Sequence, residues 1–255
     1  AQFYGDPLYH KPDYRAAAAT IQALQQPGDV IVTDGIDPNI VFLHYYKGGL
    51  PLHDLRFLAE VEGEEIAATL TEITTGATRI WEVLYFHEPA AVQHWLALHG
   101  WSAPPSEHNG IRVSLYGMPA STLPKQALTV AFGAALTLTG AAVSAGPVAH
   151  NQLLRVSTEW QVNEPPPDLK FSLRLLDGNN QALYAQDYVP QNWFAPTSTW
   201  AVGQTTGDQR GILVPPQLPA GRYRITVRLY DPATGVAVET SVGQDVTLGE
   251  VEVQP

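Results

Sequence analysis

Tyr14, Ala17, Ile21 and Leu24 recur at steps of 3, 4 and 3, the spacing that lines up apolar side chains on one face of an α-helix. Asp13 stands where an N-cap belongs, and Pro27-Gly28 ends the segment. Asp29-Val30-Ile31-Val32-Thr33 follows as a short run rich in β-branched residues, which predicts a strand buried on both faces. Asp34-Gly35-Ile36-Asp37-Pro38 then turns the chain into a second helix, with Asp37 as N-cap and Pro38 at its first position. That helix runs to Tyr46 and stops at Lys47-Gly48-Gly49. Leu52 to Leu58 reads as a second strand, and Glu64 to Thr75 as a third helix with Ile66, Leu70 and Ile73 on one face. Arg79 to Phe86 is the next strand. A fourth helix starts near Pro89, buries Val92, Trp95, Leu96 and His99, and ends at Gly100, before a last strand from Ile111 to Tyr116. Strands alternating with helices of this length predict a Rossmann-like, three-layer α/β domain around a mostly parallel sheet.

Past Met118 the period changes to strict alternation. Leu154, Val156, Thr158, Trp160 and Val162 alternate with Arg155, Ser157, Glu159 and Gln161, so one face of the segment is apolar and the other polar. Leu169, Phe171, Leu173 and Leu175 repeat the pattern, and so do Tyr223, Ile225, Val227 and Leu229. Asp177-Gly178-Asn179-Asn180 predicts a hairpin into Ala182 to Tyr188, and Asp231-Pro232-Ala233-Thr234-Gly235 a turn into a strand from Val236 to Val242. The expectation is two domains, residues 1–122 and an immunoglobulin-like β-sandwich over residues 123–255. The uncharged stretch between Lys125 and Arg155 is long enough for a membrane span of about 20 residues, but its Thr, Gly and Pro residues and its alternating Leu128/Val130/Phe132 and Leu136/Leu138 favour strands.

Charge narrows the function classes. Lys+Arg 14 against Asp+Glu 25 leaves −11, the wrong sign for a general nucleic-acid binder, which needs clustered positive charge. There is no cysteine, so neither a disulfide framework nor a thiolate site is available. The sequence opens at Ala1 without a charged and apolar leader, which is expected of a mature or excised piece.

Two places invite chemistry. In a doubly wound sheet ligands sit beyond the carboxyl ends of the strands, which makes Asp34 and Asp37 a candidate ligand site, with a capped turn as the competing reading. Two carboxylates there would repel a phosphate, and no Gly-rich cradle or Walker lysine accompanies them. The second place is Asp187-Tyr188-Val189-Pro190-Gln191-Asn192-Trp193-Phe194-Ala195-Pro196 with Thr197 to Trp200. Trp193, Phe194 and Trp200 offer faces on which a sugar ring can stack, and Asp187 and Asn192 can bond its hydroxyls; alternatively these aromatics plug the open end of the sandwich. The eight histidines yield no metal motif. His87-Glu88-Pro89 and His94 lack zincin spacing, and His53-Asp54 has no nucleophile motif beside it. No cofactor or metal is expected.

Lys11-Pro12-Asp13-Tyr14-Arg15 with its Ala-rich helix, Pro27 to Val32, Arg79-Ile80-Trp81-Glu82-Val83 and the Trp95-Leu96 helix ending in Gly100 together resemble the soluble region that follows the membrane spans of GT-C glycosyltransferases, the protein mannosyltransferase-like or aminoarabinose-transferase-like enzymes. The β region looks like a module appended to some bacterial members. It carries Leu153 to Trp160, Leu175-Leu176-Asp177-Gly178, Asp187 with Pro190, Pro196-Thr197 with Trp200, Gly203, and Leu218-Pro219-Ala220-Gly221-Arg222-Tyr223 into Leu229-Tyr230-Asp231-Pro232. The resemblance implies a parent enzyme that moves a sugar from a polyprenyl-phosphate donor outside the cytoplasm, with its catalytic acids in the membrane-embedded part. This chain would then be non-catalytic, tied to the membrane through spans it does not contain, and partnered by a glycan or a polyprenyl-linked sugar acceptor. The alternative from another class is a secreted carbohydrate-binding or adhesion protein; a free-standing hydrolase with its site near Asp34 or His53 is a third.

Overall fold

The computed structural model describes residues 11–33, 38–55, 58, 63–85, 90–119 and 123–255. The chain divides into two compact units, Ala1–His99 with Ala103–Ala120, and Gly100–Ser102 with Ser121–Pro255.

In the first unit, α1 (Tyr14–Leu24) is capped by Asp13, whose Oδ1 accepts from Ala16 N at 2.9 Å. The chain continues through β1 (Asp29–Thr33), α2 (Pro38–Tyr45), β2 (Leu52–Asp54), α3 (Gly63–Thr74), β3 (Arg79–Tyr85) and α4 (Ala90–His99). After β4 (Trp101–Ser102), which belongs to the other unit, come β5 (Ser106–His108) and β6 (Ile111–Gly117). The strand order is β2-β1-β3-β6, with β5 on β6. β1 runs parallel to β2 and β3, but β3 and β6 are antiparallel, with Trp81 opposite Leu115, and so are β5 and β6.

This overturns the Rossmann-like expectation. The sheet is mixed, and the described residues are mostly β, with 44 % strand against 21 % helix. The cause lies in a short turn. Asn109 (φ 46) and Gly110 (φ 86) close a two-residue hairpin between His108 and Ile111, so the chain enters β6 by reversal and not by a helical crossover. A parallel strand needs that crossover.

The apolar faces of the helices still bury a core. Val32, Leu55, Ile66, Leu70, Ile80, Val92, Leu96 and Tyr116 form one cluster. Beside it lies a buried ion pair: Arg79 Nε and Nη2 donate to Asp29 Oδ1 (2.9 Å) and Oδ2 (2.6 Å), and Trp81 Nε1 donates to Oδ2 at 2.8 Å.

The second unit is a β-sandwich. After β7 (Lys125–Phe132), β8 (Leu136–Val143) and β9 (Val148–Ala149), it contains β10 (Leu153–Val162), β11 (Lys170–Leu176) and β12 (Ala182–Tyr188). β13 (Thr205–Leu213), β14 (Gly221–Tyr230) and β15 (Val246–Gln254) complete it. One layer runs β4-β13-β10-β8-β7 and the other β12-β11-β14-β15-β9. Parallel pairs β4–β13 and β9–β15 distinguish it from the antiparallel immunoglobulin arrangement, correcting that part of the expected fold as well.

The alternation along β10 is obeyed: Leu154, Val156, Thr158, Trp160 and Val162 are buried and their neighbours half-buried. Trp160 sits in the centre, edge-on to Phe132 (5.1 Å) and Phe171 (5.0 Å). Asp177 builds the predicted hairpin by accepting from Asn179 N (2.9 Å) and Gln181 N (2.8 Å). Val236 to Val242, expected as a strand, makes only isolated bridges at Ala237 and Thr240 and leaves Val236 and Val242 exposed.

Candidate functional site

The aromatic-rich stretch between β12 and β13 forms a lip on the sandwich. Pro190–Trp193 and Thr197–Thr199 are short 3-10 turns. Gln191, Asn192 and Trp193 adopt φ of 50, 54 and 78, three successive non-glycine residues in the left-handed region, which costs about 1–2 kcal/mol per residue. The strain is held from below. Gln191 N donates to Asp208 Oδ1 at 2.7 Å, and the Gln191 side chain donates to Gly207 O at 3.3 Å. At the far end, Thr197 is fully buried and clamps two segments, donating to Pro167 O (2.6 Å) and accepting from Leu169 N (2.9 Å).

This geometry separates the five residues named from sequence. Trp193 is 63 % exposed, with Lys170 Nζ 5.4 Å from its ring centroid. Phe194 and Asn192 are half-buried, and the exposed Asp187 accepts from Tyr230 Oη at 3.1 Å. Trp200 faces the core: it is 5 % exposed, meets Phe171 edge-on at 6.2 Å, and its Nε1 donates to Ala195 O at 3.1 Å. Trp200 is thus turned into the core and Trp193 toward solvent.

Beneath the lip is a polar group that the sequence reading did not name. Thr206, Asp208 and Arg210 alternate inward along β13, opposite Gln186 and Tyr188 of β12, and all five are buried. Arg210 Cζ lies 4.3 Å from the centroid of the Tyr188 ring. With its amide oriented to satisfy both ends, Gln186 accepts from Arg210 Nη2 at 2.7 Å and donates to Tyr184 Oη (3.2 Å) and Gly211 O (3.3 Å). Asp208 Oδ2 and Arg210 Nη1 have no hydrogen-bond partner among the described residues. Burial raises the Asp208 carboxyl above the ordinary carboxylate range, more than the attraction of Arg210 lowers it. Burial likewise drives the Tyr188 hydroxyl well above its usual value and pushes Tyr184 up to about 12. The alternation Thr206-x-Asp208-x-Arg210-x-Ile212 is a strand signal in which charge occupies inward positions, and that was the available clue.

Asp34 and Asp37 lie outside the described residues, as do His87, Glu88 and Pro89. His99 stacks on Trp95 at 4.1 Å, and its Nδ1 is 2.8 Å from Trp95 O. His53 and Asp54 lie half-buried on β2. Arg228 and Arg174 both grip Asp245, at 2.6 and 2.9 Å. Burial works against ionisation of Asp245, yet the two guanidinium groups prevail and hold its carboxyl below the usual range. A cleft of about 400 Å³ in the first unit is lined by Thr71, Thr75, Thr78, Trp95, His99 and Met118. The hydroxyls of those three threonines donate to backbone carbonyls. Among the described residues no group of three His, Asp or Glu side chains is placed to hold a metal, and no helix is long and apolar enough to cross a membrane.

The fold and the lip define a mostly β, two-unit protein whose sandwich presents one anchored, outward-facing indole. No protein-family model and no curated protein matches the chain. Among solved structures it is weakly similar to the C-terminal domain of wzt, at 10% identity and a TM-score of 0.35, covering 54% of this chain and 80% of that one. It is also weakly similar to a Niemann-Pick type C2 protein from Japanese carpenter ant (5% identity, TM-score 0.33, 52% of this chain and 100% of that one). The CARDB domain of the PF1109 protein from Pyrococcus furiosus, solved with di-metal ions, matches at 16% identity and a TM-score of 0.28, over 47% of this chain and 94% of that one.

Proposed function

We propose that the chain is a non-catalytic, extracytoplasmic part of a membrane glycosyltransferase that draws on a polyprenyl-phosphate-linked sugar, and that its sandwich receives glycan or acceptor at Trp193. The observation that carries the binding role is the exposed indole held on a strained, anchored turn. An aromatic face left in water on a fixed backbone forgoes burial that Trp200, seven residues on, obtains. A sugar ring laid on Trp193 would find the Lys170 ammonium nearby, and Asn192 is the next residue along the chain; both side chains suit hydroxyl groups. The parent enzyme is supported by the resemblance in Lys11 to Arg15, Arg79 to Val83 and Leu218 to Tyr223. Several of the chain's acids serve as structural partners: Asp29 for Arg79, Asp245 for Arg174 and Arg228, and Glu159 for Lys125.

Two measurements test this. Titration against a glycan panel should show binding by the wild-type chain that falls about tenfold or more in Trp193→Ala, as expected for loss of one stacking surface. Wild-type protein that binds no glycan would remove the receptor role. The reading frame upstream should encode several hydrophobic spans. A frame with only a cleavable leader there would remove the glycosyltransferase and favour a secreted binder.

A further inference from the structure

α2 is hydrophobic nearly all round, and only part of it is covered. Phe42 and Tyr46 turn inward at 0% and 4% exposure, stacked at 5.3 Å, and Tyr46 Oη donates to Gln25 Oε1 at 2.6 Å. Three aliphatic residues face solvent: Ile40 is 73% exposed, Leu43 44% and Val41 42%. Ile40, Leu43 and His44 follow the i, i+3, i+4 rule and share one side of the helix, and Lys47 follows two residues beyond its last turn.

Cations border this aliphatic stripe. Lys47 Nζ donates to Leu43 O at 2.9 Å, which fixes it at the helix C-terminus. Arg15 of α1 lies 5.4 Å over the ring of Tyr45, and Tyr45 is edge-on to His44 at 4.9 Å. From Pro38 to His53 the sequence contains no Asp or Glu, in a chain of net charge −11. The nearest acids in sequence, Asp37 and Asp54, flank that stretch.

Exposed aliphatic side chains bordered by Lys, Arg, Tyr and His match the chemistry of a bilayer surface. The alkyl groups enter the headgroup boundary while the cations meet lipid phosphates. A second copy of this chain would bring Lys47 and Arg15 against the same cations, so charge favours lipid over self-association. We infer that α2 is an interfacial contact seated on anionic lipid headgroups. The inference rests on the reading that this unit works beside a membrane, and it deepens that reading by naming the surface that faces the lipid.

Co-flotation of the 255-residue chain with vesicles tests it, using pure phosphatidylcholine and phosphatidylcholine mixed with phosphatidylglycerol. Wild type should float with the anionic vesicles, and raising salt to about 1 M should weaken this. Ile40→Asp and Leu43→Asp should each reduce partitioning about tenfold, while Lys47→Glu should reduce it on anionic vesicles alone. Val202→Asp, at a 57% exposed position of the second unit, is the control and should not change it. Circular dichroism confirms that the variants fold. Wild type that floats with neither vesicle, or a Val202→Asp loss equal to that of Ile40→Asp, overturns the inference. So does sedimentation showing a dimer that Ile40→Asp dissolves, because the occupant would then be a second copy. Failure to float with upstream spans present removes only this inference. Flotation without such spans removes the glycosyltransferase reading and keeps the lipid contact.

Discussion

Asp208 offers the sharpest test of how the Trp193 lip is held, because Asn and Ala separate its two properties. Asp208→Asn keeps an oxygen for the Gln191 N–H, now accepted at 2.7 Å, and discards the charge. Asp208→Ala discards both. In the Ala variant a donor on a left-handed residue loses its acceptor, which costs about 1–3 kcal/mol when the group cannot reach water, and the strain of three left-handed residues is no longer opposed at that point. For Asn, burial acts on the carboxylate more strongly than Arg210 does, so losing the charge should leave stability at neutral pH equal to or above wild type.

The sign with pH follows from the raised carboxyl. The folded state holds the Asp208 proton more tightly than the unfolded chain, so this group's contribution falls as pH rises from the ordinary carboxylate value through the raised one. Asp208→Asn lacks that fall. Its advantage should be greatest at neutral pH and close as acid protonates Asp208. Urea unfolding at neutral and acid pH, followed by tryptophan fluorescence, measures both gaps. An Asn variant as unstable as Ala at neutral pH would refute the reasoning, because attraction to Arg210 and not the anchor to Gln191 would then be the dominant role.

Two further predictions concern the ion pairs. Arg79→Ala leaves the Asp29 carboxylate, whose side chain is 0% exposed, with donors from Trp81 and Gln26 but no countercharge. It should destabilise the protein by about 3–5 kcal/mol in urea unfolding, the cost of breaking a buried pair from one side. Asp245→Asn removes the partner of both Arg174 and Arg228 and should cost about 1–2 kcal/mol at neutral pH, the site being partly exposed. Because the Asp245 carboxyl is held below its usual value, the wild-type advantage is present at neutral pH and is lost as pH falls through that lowered value; thermal melts in acid should therefore converge.

What was legible in the sequence is what periodicity alone determines. The inward positions of β10, β11 and β14 follow from alternation, and the buried side of α1 follows from its 3-4-3 spacing. Strand direction does not follow from periodicity. Asn109-Gly110 is a hairpin signal in plain view, but it sits next to a three-residue strand too short to register, so the helix before it suggested a crossover that the chain does not make. Charge at inward positions hid β13: Asp208 and Arg210 interrupt the apolar beat, and their partners Tyr188 and Gln191 are 20 and 17 residues away. The same limit applied to the aromatic stretch. Trp193 and Trp200 are chemically identical in the sequence, but Trp200 meets the ring of Phe171, 29 residues upstream, and is buried, whereas Trp193 stays outside. A site built by strand pairing therefore becomes readable only after the register is known, because register decides which polar residue is turned inward to hold a turn and which aromatic remains free to bind.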